Sequence, residues 1–194
     1  KIGFDYIRQN VAIRSAVIQL TMLFSIMAAL AVLVVRLAEI LPEIKTSQFG
    51  FLLTAGGLGM TCSLLFLSAV GDRYPRRVLD RVGSAILAAS LFGMAFSIHS
   101  LSISLLLLLG IGVGAALIGV PMQTIIQEKT PEDMRGKVFG LQNNLINIAL
   151  SLPLALAGIA ETWLGIRAVF LGLGTIAVTS GLINWYISRT QVTP

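Results

Sequence analysis

Residues 71–81 read GDRYPRRVLDR and gather four arginines and two aspartates, in a chain whose charged residues make up only 12% of the total. Guanidinium forks grip carboxylates, and a carboxylate can also sit on the unpaired N–H groups at a helix start, so this stretch has the chemistry of an ion-paired latch. A second charged stretch, TPEDMRGKVFGL at residues 130–141, reads as a helix start. Thr130 is placed to cap it, Pro131 to take the first helical position, and Glu132 and Asp133 to meet the positive end. Beyond it Gly136, Gly140, Asn143, Asn144, Asn147 and Ser151 recur at spacings of three and four, which predicts one small and polar helix face. Such a face either lets a neighbouring helix approach, with amides bonding across the seam, or lines a cavity through Asn143 and Asn147. Gln19, and Gln123 with Gln127 one turn away, allow the same two readings: a bond between helices or a polar contact for a substrate.

The elements that must position these groups are set by composition. At 194 residues, 56% hydrophobic and a mean hydropathy of +0.88, the chain has more apolar surface than a soluble core of its length can bury. Six apolar runs, at about 16–35, 49–70, 82–98, 101–126, 138–160 and 168–187, contain no Asp, Glu, Lys or Arg. Each is close to the roughly 20 residues that cross a bilayer as a helix. The runs are continuous and do not alternate, which excludes a transmembrane β-barrel. One all-α bundle of six membrane-spanning helices is the expected architecture.

Lys and Arg set the orientation. Eleven of the fourteen fall on the side of both termini and of the loops at 71–81 and 129–137, against Arg36, Lys45 and Arg167 on the other. Both termini are therefore expected to face the cytoplasm. The pI near 9.9 follows from that topology, so no nucleic-acid partner is expected. The chain opens KIGFDYIRQN without an initiating Met, which predicts a fragment of a longer protein. Arg36, with Glu39 and Glu43 after it, is either a gate pair or an interfacial anchor at the outer end of the first helix. Gly110 and Gly114 predict close helix packing, Pro121 a bend, and the Gly56, Gly57 and Gly59 cluster either flexibility or close contact. Trp163, Trp185 and Tyr186 sit at run ends as interfacial anchors.

No nucleophile triad, phosphate-cradling loop or metal cluster is present in the sequence. His99 is the lone histidine, in a short outer turn, and Cys62 the lone cysteine, in an apolar helix. No enzyme, cofactor or metal is expected.

Asp72, Arg73, Arg76 and Arg77 match the D-R-x-G-R-R core of the signature loop of the major facilitator superfamily, in the matching place between the second and third helices. Residues 130–141 resemble the P-x-x-x-R-G-x-V-F-G-L segment of drug-efflux members, particularly the macrolide type, through Pro131, Arg135 and Gly136. The first helix and its loop are similar to cyanobacterial members. Ser68 stands where the family loop has its first Gly, and Pro75 where it has its middle one. The resemblance implies the C-terminal six-helix half of a transporter, built from two inverted three-helix repeats. It implies that Asp72 engages a helix start in another half and that the arginines join an ion-pair network steadying one access state.

Two functions follow as expectations. One is a half of an efflux carrier for a small amphipathic molecule, working by alternating access with a second six-helix half, with Gln19, Asn143 and Asn147 contributing to the cavity. Because the six runs carry no ionisable group, coupling carboxylates are expected in the other half. The alternative is a transporter-derived scaffold or accessory subunit docked on a larger membrane complex. A bacterial plasma membrane is expected for either, or a thylakoid membrane if the origin is cyanobacterial.

Overall fold

A computed structural model describes residues 2–189, with the side chains of residues 2, 46, 70, 72, 188 and 189 outside the described set. Seven helices follow one another: α1 (Ile2–Gln9), α2 (Val11–Ile40), α3 (Gly50–Val70), α4 (Arg76–Phe96), α5 (Leu101–Lys129), α6 (Glu132–Leu164) and α7 (Ile166–Arg189). Single 3-10 turns, Thr46–Gln48 and Gly71–Arg73, precede and follow α3. Helices α2 to α7 are each long and apolar enough to cross a membrane. Inside a bilayer a helix satisfies every backbone group within itself, which is why an apolar sequence of this kind adopts nothing else.

Local chemistry sets the ends. Asn10 has extended backbone, and its side chain accepts from the Ile13 amide at 3.3 Å, separating the short α1 from α2. Gly165, at φ 81°, turns the chain from α6 into α7 in a conformation that side-chained residues resist. Pro131, with φ −58° and ψ 155°, is the residue that precedes α6, and Thr130 does not cap it. The Thr130 hydroxyl is instead buried, with no hydrogen-bond partner among the described residues. Three helices also start well ahead of their uncharged runs: α2 at Val11, α4 at Arg76 and α6 at Glu132. The extra turn of α4 carries Asp80 and Arg81 into a spanning helix, correcting the expectation that these helices hold no ionisable group.

Helix pairing follows a two-repeat plan. Helix α2 packs on α6 as α5 packs on α3; α4 pairs with α7, and α2 with α5. Matching α2, α3 and α4 with α5, α6 and α7 reproduces those pairs, as two inverted three-helix repeats require. Leu33, Leu37, Leu91, Met94 and Phe170 are fully enclosed in the common core.

Small residues fix the closest seams. A Cβ on Gly83 would lie 2.9 Å from the Gly114 carbonyl oxygen, and one on Gly114 2.8 Å from that of Gly83, so α4 and α5 touch backbone to backbone. Gly59 and Gly112 do the same between α3 and α5, whereas Gly57 faces open space. Helices α3 and α6 lie at the edges. Of its most apolar stretch α6 buries only 11%, against 56% for α2.

Candidate functional site

The end of the bundle bearing most of the Lys and Arg, here the basic end, holds a cleft of about 580 Å3. Ser15 and Ala16 of α2, Arg76 and Arg77 of α4, Met122 and Lys129 of α5, and Asn184 of α7 are among its lining residues. Arg76 begins α4, and its two terminal nitrogens donate to both carboxylate oxygens of Glu128 at 2.5 and 2.6 Å. This fork ties the start of α4 to the end of α5, so one signature-loop arginine has its acid partner within this chain. Arg73 and Arg77 are exposed. The Asp72 side chain, which the resemblance assigns to a helix start in another half, lies outside the described residues.

Beneath the cleft lies a polar cluster absent from the sequence expectations. Asp80 is 2% exposed. Gln19 Nε2 donates to its Oδ1 at 3.2 Å and to Ser84 Oγ at 3.3 Å, while Asn184 Nδ2 donates to Asp80 Oδ2 at 2.6 Å. The Ser15 hydroxyl in turn donates to Asn184 Oδ1. The cluster joins α2, α4 and α7 through groups 61 and 104 residues from Asp80. A buried carboxylate costs heavily unless its oxygens accept hydrogen bonds, and here each accepts one from an amide. Gln19, expected on a cavity wall, is itself buried at 3% exposure and spends its amide on this cluster.

The face predicted on α6 is where the spacing put it, but it packs on no other helix among the described residues. Gly136, Gly140, Asn143, Asn144, Asn147 and Ser151 are all exposed, and a Cβ on either glycine would meet nothing within 4 Å. Ser151 bonds only its own helix, at the Asn147 carbonyl, and the three asparagine side chains have no hydrogen-bond partner among the described residues. Amides in that position are poorly suited to lipid tails. Pro131 and Arg135 are exposed at the start of the same helix, and Arg135 donates to Glu132 at 3.4 Å.

The other polar groups join helices. Gln142 Nε2 donates to Gln123 Oε1 at 2.7 Å, linking α6 to α5. At the opposite end Arg36 donates to Glu161 at 2.8 Å and pairs with Glu39, tying α2 to α6. Spacing pointed to Glu39; Glu161, lying 125 positions away, left no trace that a local pattern could detect.

Comparison with known proteins places this geometry in context. The family model described as Major Facilitator Superfamily matches residues 15–194. The chain is 29% identical over 145 residues to the uncharacterized MFS-type transporter YfiS of Bacillus subtilis (strain 168), covering 71% of this chain and 32% of that protein. It is 30% identical over 147 residues to the putative uncharacterized transporter YgaY of Escherichia coli (strain K12), covering 74% of this chain and 36% of that protein. It thus spans about a third of the length of the relatives it matches.

Proposed function

Because this integral, multi-pass membrane chain belongs to the major facilitator superfamily, we propose that it forms one six-helix half of a secondary active transporter. In this reading the transporter exports a small amphipathic molecule by alternating access against a second six-helix half, on the same polypeptide or another subunit. The basic end faces the cytoplasm of a bacterial cell, and the bundle sits in the plasma membrane.

One observation carries the proposal: a spanning helix displays a row of amides and glycines that nothing among the described residues covers. Apolar tails cannot hydrogen-bond amides, so the row calls for a polar cavity, a closely fitting helix, or both. Its glycine end, Gly136 and Gly140, suits the approach of a partner helix. Asn143 and Asn147, deeper in the membrane, suit a wall that meets substrate. The bundle supports α6 mainly through α2, leaving the opposite side for the second half. Arg73 and Arg77 stand exposed at the basic end, where the resemblance assigns them, with Asp72, to a network between halves.

Asn143→Leu and Asn147→Leu test this in the complete protein. Export of amphipathic dyes from inside-loaded vesicles is expected to fall at least about tenfold, the effect of losing one or two polar contacts at about 1.4 kcal/mol per decade, with membrane abundance unchanged. Unchanged export in both variants refutes the assignment. If the parent protein moves no dye and Asn144→Cys cross-links to a separate membrane protein, the scaffold reading replaces the carrier.

A further inference from the structure

The buried cluster under the basic-end cleft has a property that its place in the packing does not require. Both oxygens of Asp80 accept from neutral amides, Gln19 on Oδ1 and Asn184 on Oδ2. That arrangement fits a carboxylate. Adding a proton turns one oxygen into a donor, and the donor needs an acceptor where an amide N–H now points.

Asn184 can supply it. The amide carries an acceptor and two donors on one rotatable group, and its oxygen now accepts from the Ser15 hydroxyl. Turning the amide over aims its oxygen at Asp80 and its nitrogen at Ser15. A proton on Asp80 Oδ2 then donates to Asn184 Oδ1, Asn184 Nδ2 donates to Ser15 Oγ, and the Ser15 hydroxyl keeps its hydrogen but is freed to donate it elsewhere. Ser15 and Asn184 both line the cleft, so the freed O–H donates at its floor. Each arrangement satisfies every member of the chain, and this makes them two states of one network. Gln19 keeps its bonds to Asp80 Oδ1 and Ser84 Oγ in both.

We propose that Asp80 is a proton-binding site loaded from the basic-end cleft, and that its occupancy reverses the hydrogen-bond chain Ser15, Asn184, Asp80. The proton comes from water in the cleft and rests on Oδ2. Its arrival switches the floor of the cleft from accepting a hydrogen bond at Ser15 to donating one. The surrounding charges are Arg76, Arg77 and Arg81 on α4, and Glu128, held by Arg76, with Lys129 on α5. On α2 the facing groups are the neutral Ser15 and Gln19, and on α7 the neutral Asn184; the Arg189 side chain lies outside the described residues.

Infrared spectroscopy of the complete protein in liposomes, titrated from alkaline to acidic pH, tests the proposal. A carboxylic-acid C=O band is expected to grow as pH falls, and Asp80→Asn is expected to delete it. Ser15→Ala, which removes the far end of the chain and leaves the acid in place, is expected to keep the band and move both its frequency and its midpoint. If Asp80→Asn does not run as a monodisperse species on gel filtration, Asp80→Glu keeps a titratable carboxyl and is expected to displace the band. A difference spectrum unchanged by the Asp80 substitution overturns the proton site. A Ser15→Ala spectrum superimposable on the parent's overturns the chain reversal. Neither readout depends on transport, so this proposal and the export reading fail separately.

Discussion

Replacing Gly112 by Ala adds one methyl group where the structure has least room for it. The new Cβ would stand 2.9 Å from the Met60 backbone nitrogen and closer still to the Gly56 carbonyl oxygen, both on α3. No side chain can swing aside, because the obstacle is backbone, so α3 must move away from α5 along a seam that also holds Gly59 against Leu109. Overpacking of this kind costs about 1–3 kcal/mol, which is about 5- to 150-fold in the folding equilibrium. Gly57, adjacent to Gly56 in sequence but turned away from the seam, is the control. Nothing lies within 4 Å of its would-be Cβ, so Gly57→Ala is expected to gain about 0.5–1 kcal/mol by relieving the cost of a helical glycine. The two single-methyl changes therefore have opposite signs. Once the seam has opened for one methyl group it accepts a second more readily, so Gly59→Ala with Gly112→Ala is expected to cost less than the sum of the two. Unfolding by titration with a denaturing detergent, followed by helical circular dichroism, measures the four variants against the parent. Equal effects of the substitutions at residues 57 and 112, or strict additivity at residues 59 and 112, would refute the backbone-contact argument.

Two further predictions concern buried polar atoms. Gln123→Leu leaves the Gln142 amide, 5% exposed, without its acceptor and is expected to destabilise by about 1–3 kcal/mol, whereas Gln142→Leu, which also removes an unpartnered oxygen, is expected to cost less; the same detergent titration ranks them. Thr130→Val exchanges a buried, partnerless hydroxyl for a methyl group of the same shape and is expected to be neutral or stabilising by up to about 1 kcal/mol, read as a higher thermal midpoint in detergent.

The spans were legible because a bilayer imposes a length and an apolar composition on each of them, and that demand is local in sequence. The α6 face was legible for a similar reason: Asn143 and Asn147 are one turn apart, and a helix has only one way to arrange such a spacing. What lay across from the face was not legible, since the same stripe serves a packed seam or an open wall. Asp80 escaped notice for a different reason. An uncharged window placed it in the loop, whereas Pro75 starts the helix ahead of it. A continuous register did mark it, because Asp80, Gly83, Ser84, Leu87 and Leu91 share one helical face and all are buried. Extending that face back by one turn would have predicted a buried acid. Its partners would still have been hidden, since Gln19 and Asn184 meet it only through tertiary folding. Glu128 and Glu161 were lost to the same cause: each sits opposite an arginine that belongs to another helix.

The pairing of α6 with α2 has a mechanical result. Helix α6 leans broadly on α2, with narrower support from α1 and α7, and Arg36 fastens it to α2 at the end opposite the amide row. A load pressed onto the amides is therefore borne chiefly by α2, the same helix that holds Gln19 against the buried acid of α4. The amide face of α6 and one of the two amide bonds to the buried acid thus share a single beam.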